Sequence, residues 1–84
     1  MTSPHSSSQI LKQLKAGQQG YVRHLTGGHH LVQRLLALGF TPGASLQVLR
    51  SSEHGPVLVS IRGTQIAIGH HEAENILISI SDQI

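Results

Sequence analysis

Residues 31–43, LVQRLLALGFTPG, constrain the fold of this chain more than any other stretch, because they write a helix, its ending and a sharp exit without interruption. Leu31, Leu35 and Leu38 recur at i, i+4 and i+7 with Val32 and Leu36 beside them, which gives a short helix one broad apolar face. Gly39 follows the last periodic leucine and predicts a left-handed Schellman ending, in which Phe40 makes the apolar contact with Leu35. Pro42 fixes its own φ and restricts Thr41 before it, so the chain cannot continue as helix and turns at Gly43 into a new strand.

The 84 residues suit one domain with a small core, since a chain of this size removes only about 60–65% of its unfolded surface from water. One Tyr, one Phe and no Trp leave that core to Ile, Leu and Val, which favours strands and a short helix. Every apolar run falls short of the roughly 18 residues that cross a bilayer, so no membrane insertion is expected. The start, MTSPHSSSQ, lacks the charged and apolar regions of a signal peptide, and a cytoplasmic location is the expectation. The absence of Cys agrees with that compartment and excludes disulfides, thiolate metal sites and a cysteine nucleophile. Six Lys or Arg against four Asp or Glu leave a formal charge of +2, and the cations stand singly along the chain. A nucleic-acid footprint needs them clustered, so no nucleic-acid partner is expected.

Along the chain, residues 1–9 are Ser-rich, contain Pro4 and show no apolar period, which reads as a flexible N-terminal tail before a domain over 10–84. Ile10, Leu11 and Leu14 anchor a segment punctuated by Gly17 and Gly20, and Tyr21–Leu25 reads as a first long strand with Val22 inward. Thr26 or Gly28 is placed to cap the helix that follows. Beyond Gly43 the period changes to alternation: Leu46 and Val48 share one strand face, and Val57, Val59 and Ile61 share the next. A two-residue turn at Gly63 and Thr64, of type II′, sets Ile61 opposite Ile66 and Val59 opposite Ile68. HHEAENI then makes one helical turn before a closing strand over Ile76–Ile80. The expected fold is mainly β: a small barrel of about five strands, with one short α-helix between the first and second long strands.

Chemistry is sparse in this pattern. The only Asp is Asp82 near the C-terminus and no glycine-flanked Ser follows a strand, so no catalytic triad and no enzymatic activity is expected. Gly27 and Gly28 before the helix lack the lysine and hydroxyl of a phosphate loop and read as a plain cap. Seven histidines invite a transition metal, with His70, His71 and Glu72 as the candidate ligands. Their spacing argues for solvated side chains, because adjacent histidines diverge on a strand or a helix and a site needs three or four convergent donors. His29 and His30 meet the same objection, and His54 stands alone in its turn. No cofactor is expected. The helix is where contact with a protein partner is expected, at Gln33, Arg34, Leu35 and Leu36, because five large aliphatics on one short helix overfill a small barrel opening. The alternative is that all five are buried.

Taken in order, these residues resemble the FeoA family of bacterial ferrous iron transport. The resemblance covers residues 10–81 and rests on Leu11, Leu14, Gly17, Gly20 and Val22, then on Gly27, Gly28 and Leu31 leading to Arg34, Leu35, Leu38, Gly39, Phe40, Pro42 and Gly43. GPVLVSIRGTQIAIGHHEAENILI completes it. It implies an SH3-like barrel that docks on the cytoplasmic face of the FeoB permease, peripheral to the inner membrane through that partner, and modulates iron uptake or the permease's GTPase cycle. A second implication is a metal-responsive regulatory domain like the C-terminal domain of DtxR-type repressors. Self-association into a homodimer through an open strand edge is a third option. Gly69, His70 and His71 depart from the family pattern, which often carries charged residues at that place.

Overall fold

In a computed structural model the protein is described over residues 6–81, and Asp82 lies outside them. Six strands and two short helices follow one another: β1 Ser6–Ile10, β2 Gln19–Leu25, α1 His29–Ala37, β3 Ser45–Ser51, β4 Val57–Ile61, β5 Thr64–Ile68, α2 His70–Ala73 and β6 Ile76–Ser81. A single 3-10 turn at Leu11–Gln13 joins β1 to the segment before β2. The strands form one antiparallel sheet in the order β1-β6-β2-β3-β4-β5. From β2 onward this is the succession expected from the sequence. The addition is β1: residues 6–9, read above as part of a tail, pair with β6, Ser8 opposite Ser79 and Gln9 opposite Ile78. Main-chain bonding carries that pairing, so the stretch SSSQ ahead of Ile10 leaves no apolar trace. Residues 1–5 lie outside the described structure.

β2 serves two neighbours. Gln19–Tyr21 pair with β3, while Tyr21–Leu25 pair with β6, and the extra residue Arg23 makes a bulge between Val22 and His24. Strict alternation from Val22 would turn His24 inward; the bulge moves that position to Leu25, which is buried, and leaves His24 exposed. A second bulge at Leu49 bends β3 against β4. Gly20 sits at the crossing, where a Cβ would lie 2.5 Å from Ile78 Cγ2 and 2.8 Å from the carbonyl oxygen of Ser79. Only glycine lets the two strands approach so closely.

The interior is aliphatic with one aromatic ring, and no polar or charged residue is buried among the described residues. Val57, Val59, Ile61 and Ile68 point into it from β4 and β5, joined by Val22, Val48, Ile76 and Ile78. The β4–β5 turn is one residue earlier than expected. Arg62 and Gly63 form it with φ of 55° and 77°, both left-handed, as a type I′ turn demands. Ile61 therefore faces Thr64, Val59 faces Ile66 and Val57 faces Ile68. The slip across the ladder is two residues, so every side chain keeps its face, although Ile66 at the sheet edge is only half-buried.

α1 ends as its sequence dictates. Phe40 N–H donates to Leu35 O at 3.0 Å and Gly39 N–H to Leu36 O at 3.0 Å, the two bonds of a Schellman motif, with Gly39 at φ 110°. Phe40 is thereby swung into the core and fully buried. Gly43 N–H donates to Val22 O (2.7 Å) and Val22 N–H to Ala44 O (2.8 Å), which fastens the helix exit to the middle of β2. Two substitutions separate the steric constraint from the conformational one. Gly20→Ala is expected to cost about 1–3 kcal/mol through overpacking, and Gly39→Ala about 1–2 kcal/mol through left-handed strain, both read from urea denaturation midpoints.

Candidate functional site

α1 presents the candidate surface. Gly28 caps its start with extended backbone and no side-chain bond, so of the two expected caps it is Gly28 that serves. Thr26 instead ties the preceding loop to the end of α2: its N–H donates to Asn75 O at 2.9 Å, and its hydroxyl donates to Asn75 Oδ1 at 3.0 Å. Asn75 Nδ2 in turn donates to His71 O at 3.0 Å. Along the helix Arg34 pairs with Glu72 of α2. The other oxygen of Glu72 accepts from Gly69 N–H at 3.1 Å, capping α2. Thus α1 is joined to α2 at its N-terminal approach and again at its middle. With the Arg34 side chain 64% exposed, the ion pair contributes at most about 1 kcal/mol and acts to orient Arg34.

The four expected contact residues divide. Gln33 and Arg34 are exposed and Leu36 is 37% exposed, whereas Leu35 is fully buried and belongs to the core. Leu38, expected inside, is 40% exposed. The cause is the Schellman ending: Phe40, folded back on Leu35, takes the interior position that a continuing helix would give Leu38. At 100° per residue, Leu36 and Leu38 stand at the two margins of the outward face, with Gln33, Ala37 and Arg34 between them. Sequence periodicity could not show this margin leucine, because Leu38 keeps the helical spacing while the chain is already leaving the helix.

His70, His71 and Glu72 do not converge. His70 Nε2 lies 3.7 Å from Glu74 Oε2 and His71 Nδ1 lies 3.9 Å from Glu74 Oε1, while Glu72 is engaged by Arg34 and Gly69. Among the described residues no group of three or more His, Cys, Asp or Glu is arranged to hold a metal ion. His54 is less isolated than its turn suggested, with its ring 6.3 Å from that of His70. Four of the six basic side chains, Lys12, Arg23, Arg34 and Arg62, are tied individually to Glu53 O, Ser8 Oγ, Glu72 and Thr41 Oγ1, a scatter unlike a phosphate-binding stripe. Sequence reasoning also missed a polar cleft of about 440 Å³ where β2, β3 and β4 meet, lined by Tyr21, Gln47, Ser60 and Arg62 among others.

One histidine is perturbed. His70 Nδ1 is buried without a hydrogen-bond partner, and desolvation, then Lys12, hold its pKa below 6.5, with His71 and His54 adding to the effect and Glu74 opposing it. The fold therefore favours neutral His70, and the unfolded chain binds its proton more readily. Stability from this group is complete above the unfolded pKa and declines as pH falls below about 6.5. Thermal melts between pH 7.5 and pH 5 are expected to show a smaller acid-side loss in His70→Gln than in the parent protein, with the exposed His29→Gln as control.

Comparison with known proteins agrees with this architecture. Residues 10–80 match the family model described as the FeoA domain. A protein of Methanocaldococcus jannaschii named "Putative Fe(2+) transport protein A" is 36% identical over 64 residues, covering 76% of this chain and 77% of its own. The crystal structure of an iron uptake regulatory protein, FeoA, superimposes with a TM-score of 0.82 at 36% identity, over 86% of this chain and 96% of that one. The zinc complex of Stenotrophomonas maltophilia FeoA, described as a procaryotic SH3 domain protein, matches with a TM-score of 0.67 at 23% identity over 83% and 88% of the two chains, a likeness of fold. With a family model spanning nearly all of the described barrel and a relative at this identity, the chain belongs to the FeoA family of ferrous iron transport.

Proposed function

We propose that this chain is an accessory module that docks on the cytoplasmic face of a FeoB-type ferrous iron permease and modulates iron uptake or the permease's GTPase cycle. It acts without chemistry of its own, in the cytoplasm and peripheral to the inner membrane through that partner. The outward face of α1 makes the contact, through Gln33, Arg34 and Leu36, joined by Leu38. The observation that carries this reading is an outward helix face with a part-exposed leucine at each margin, Leu36 and Leu38, and between them Arg34, which Glu72 holds in place. Leucines left part-exposed on a face that also carries an oriented guanidinium are good anchors for a partner, since Arg and large apolar groups that become buried supply much of the binding energy at interfaces. Family membership supplies the transport context. The same position is less suited to a metal-responsive regulator, since the carboxylate of Glu72 is committed to Arg34 and to the cap of α2.

Leu36→Glu tests the surface with little risk to the fold, because the side chain is already part-exposed. Binding of the variant to the isolated GTP-binding domain of the permease is expected to weaken at least about tenfold, or about 1.4 kcal/mol, in calorimetry. Unchanged affinity with an unchanged melting curve would remove α1 from the interface.

A further inference from the structure

The open edge of the sheet at β5 carries an inference separate from the docking role of α1. β5 is the last strand in the order, paired on one side by β4 and, among the described residues, by no strand on the other. The type I′ turn at Arg62 and Gly63 makes Ile61 and Thr64 a hydrogen-bonded pair, so Thr64, Ile66 and Ile68 spend their main-chain groups on β4. Gln65 and Ala67 direct theirs outward. The edge TQIAI holds no charged residue and no proline, and its ladder runs without a bulge, so three of the devices that blunt a free edge are missing.

We propose that β5 pairs with β5 of a second copy, antiparallel about a two-fold axis at Ile66. In that register Gln65 faces Ala67 of the other copy and Ala67 faces its Gln65, and the outward N–H and C=O groups of both residues form four hydrogen bonds. Ile66 meets its own equivalent in the closer, non-hydrogen-bonded pair, on the inner face where it is half-buried beside the core. No like charges are opposed. The strand is self-complementary about this centre, which is why a second copy fits it better than a foreign strand. The edge is short, so association is weak.

Sedimentation equilibrium from about 10 µM to about 1 mM is expected to show a monomer–dimer equilibrium in the upper part of that range. Amide exchange at Gln65 and Ala67 is expected to slow with rising concentration while Thr64 and Ile66 stay unchanged. Ala67→Pro removes an outward donor that β4 does not use, and Gln65→Lys places a charge on the edge; each is expected to weaken the dimer at least about tenfold. Should Ala67→Pro fail to fold, Gln65→Lys decides alone. A monomer throughout the range, a dimer indifferent to these variants, or exchange at Gln65 and Ala67 independent of concentration would each overturn the proposal.

Discussion

One strand sharing its two ends between different neighbours holds this barrel together. β2 begins on β3 and finishes on β6, and a straight, regular strand cannot do both while keeping its apolar side chains inside. Gly20 permits the close crossing and the bulge at Arg23 resets the alternation, so Val22 and Leu25 enter one interior from a bent strand. The helix exit is then fastened to Val22 by reciprocal main-chain bonds, which makes the position of α1 a consequence of how β2 bends.

Local signals in the sequence translate well where a single stretch of chain contains its own reason. Gly39 and Phe40 after the periodic leucines foretell the Schellman motif, whose bond from Phe40 N–H to Leu35 O leaves both residues in the buried core, because cap chemistry is a matter of adjacent residues. Alternation in VLVSI and TQIAI foretells which residues share the interior, yet the turn is displaced by one residue, since Arg62 accepts a left-handed conformation that sequence would assign to glycine or asparagine. β1 was invisible because it is recruited by the main chain of β6 and offers no apolar face of its own.

The candidate site is less legible for the same reason turned around. Gln33, Arg34 and Leu36 follow from helix geometry, but their setting is made by residues far along the chain: Glu72 orients Arg34, and Asn75 anchors the loop before α1. Leu35 stays in the interior and so is lost to the contact surface, while Leu38, on the same periodic face, is turned out because Phe40 occupies the interior beyond the helix end. Whether a side chain belongs to the core or to the surface is decided by what else arrives there, and no periodicity contains that.

With no Trp in the chain, the two aromatic rings stand in contrasting environments: Phe40 is sealed in the interior and Tyr21 is 48% exposed at the rim of the polar cleft. Ultraviolet absorption and intrinsic fluorescence of this protein are consequently dominated by a phenol in contact with solvent. An optical signal from tyrosine follows events at the cleft and is nearly blind to the state of the hydrophobic interior, which the phenylalanine ring alone monitors.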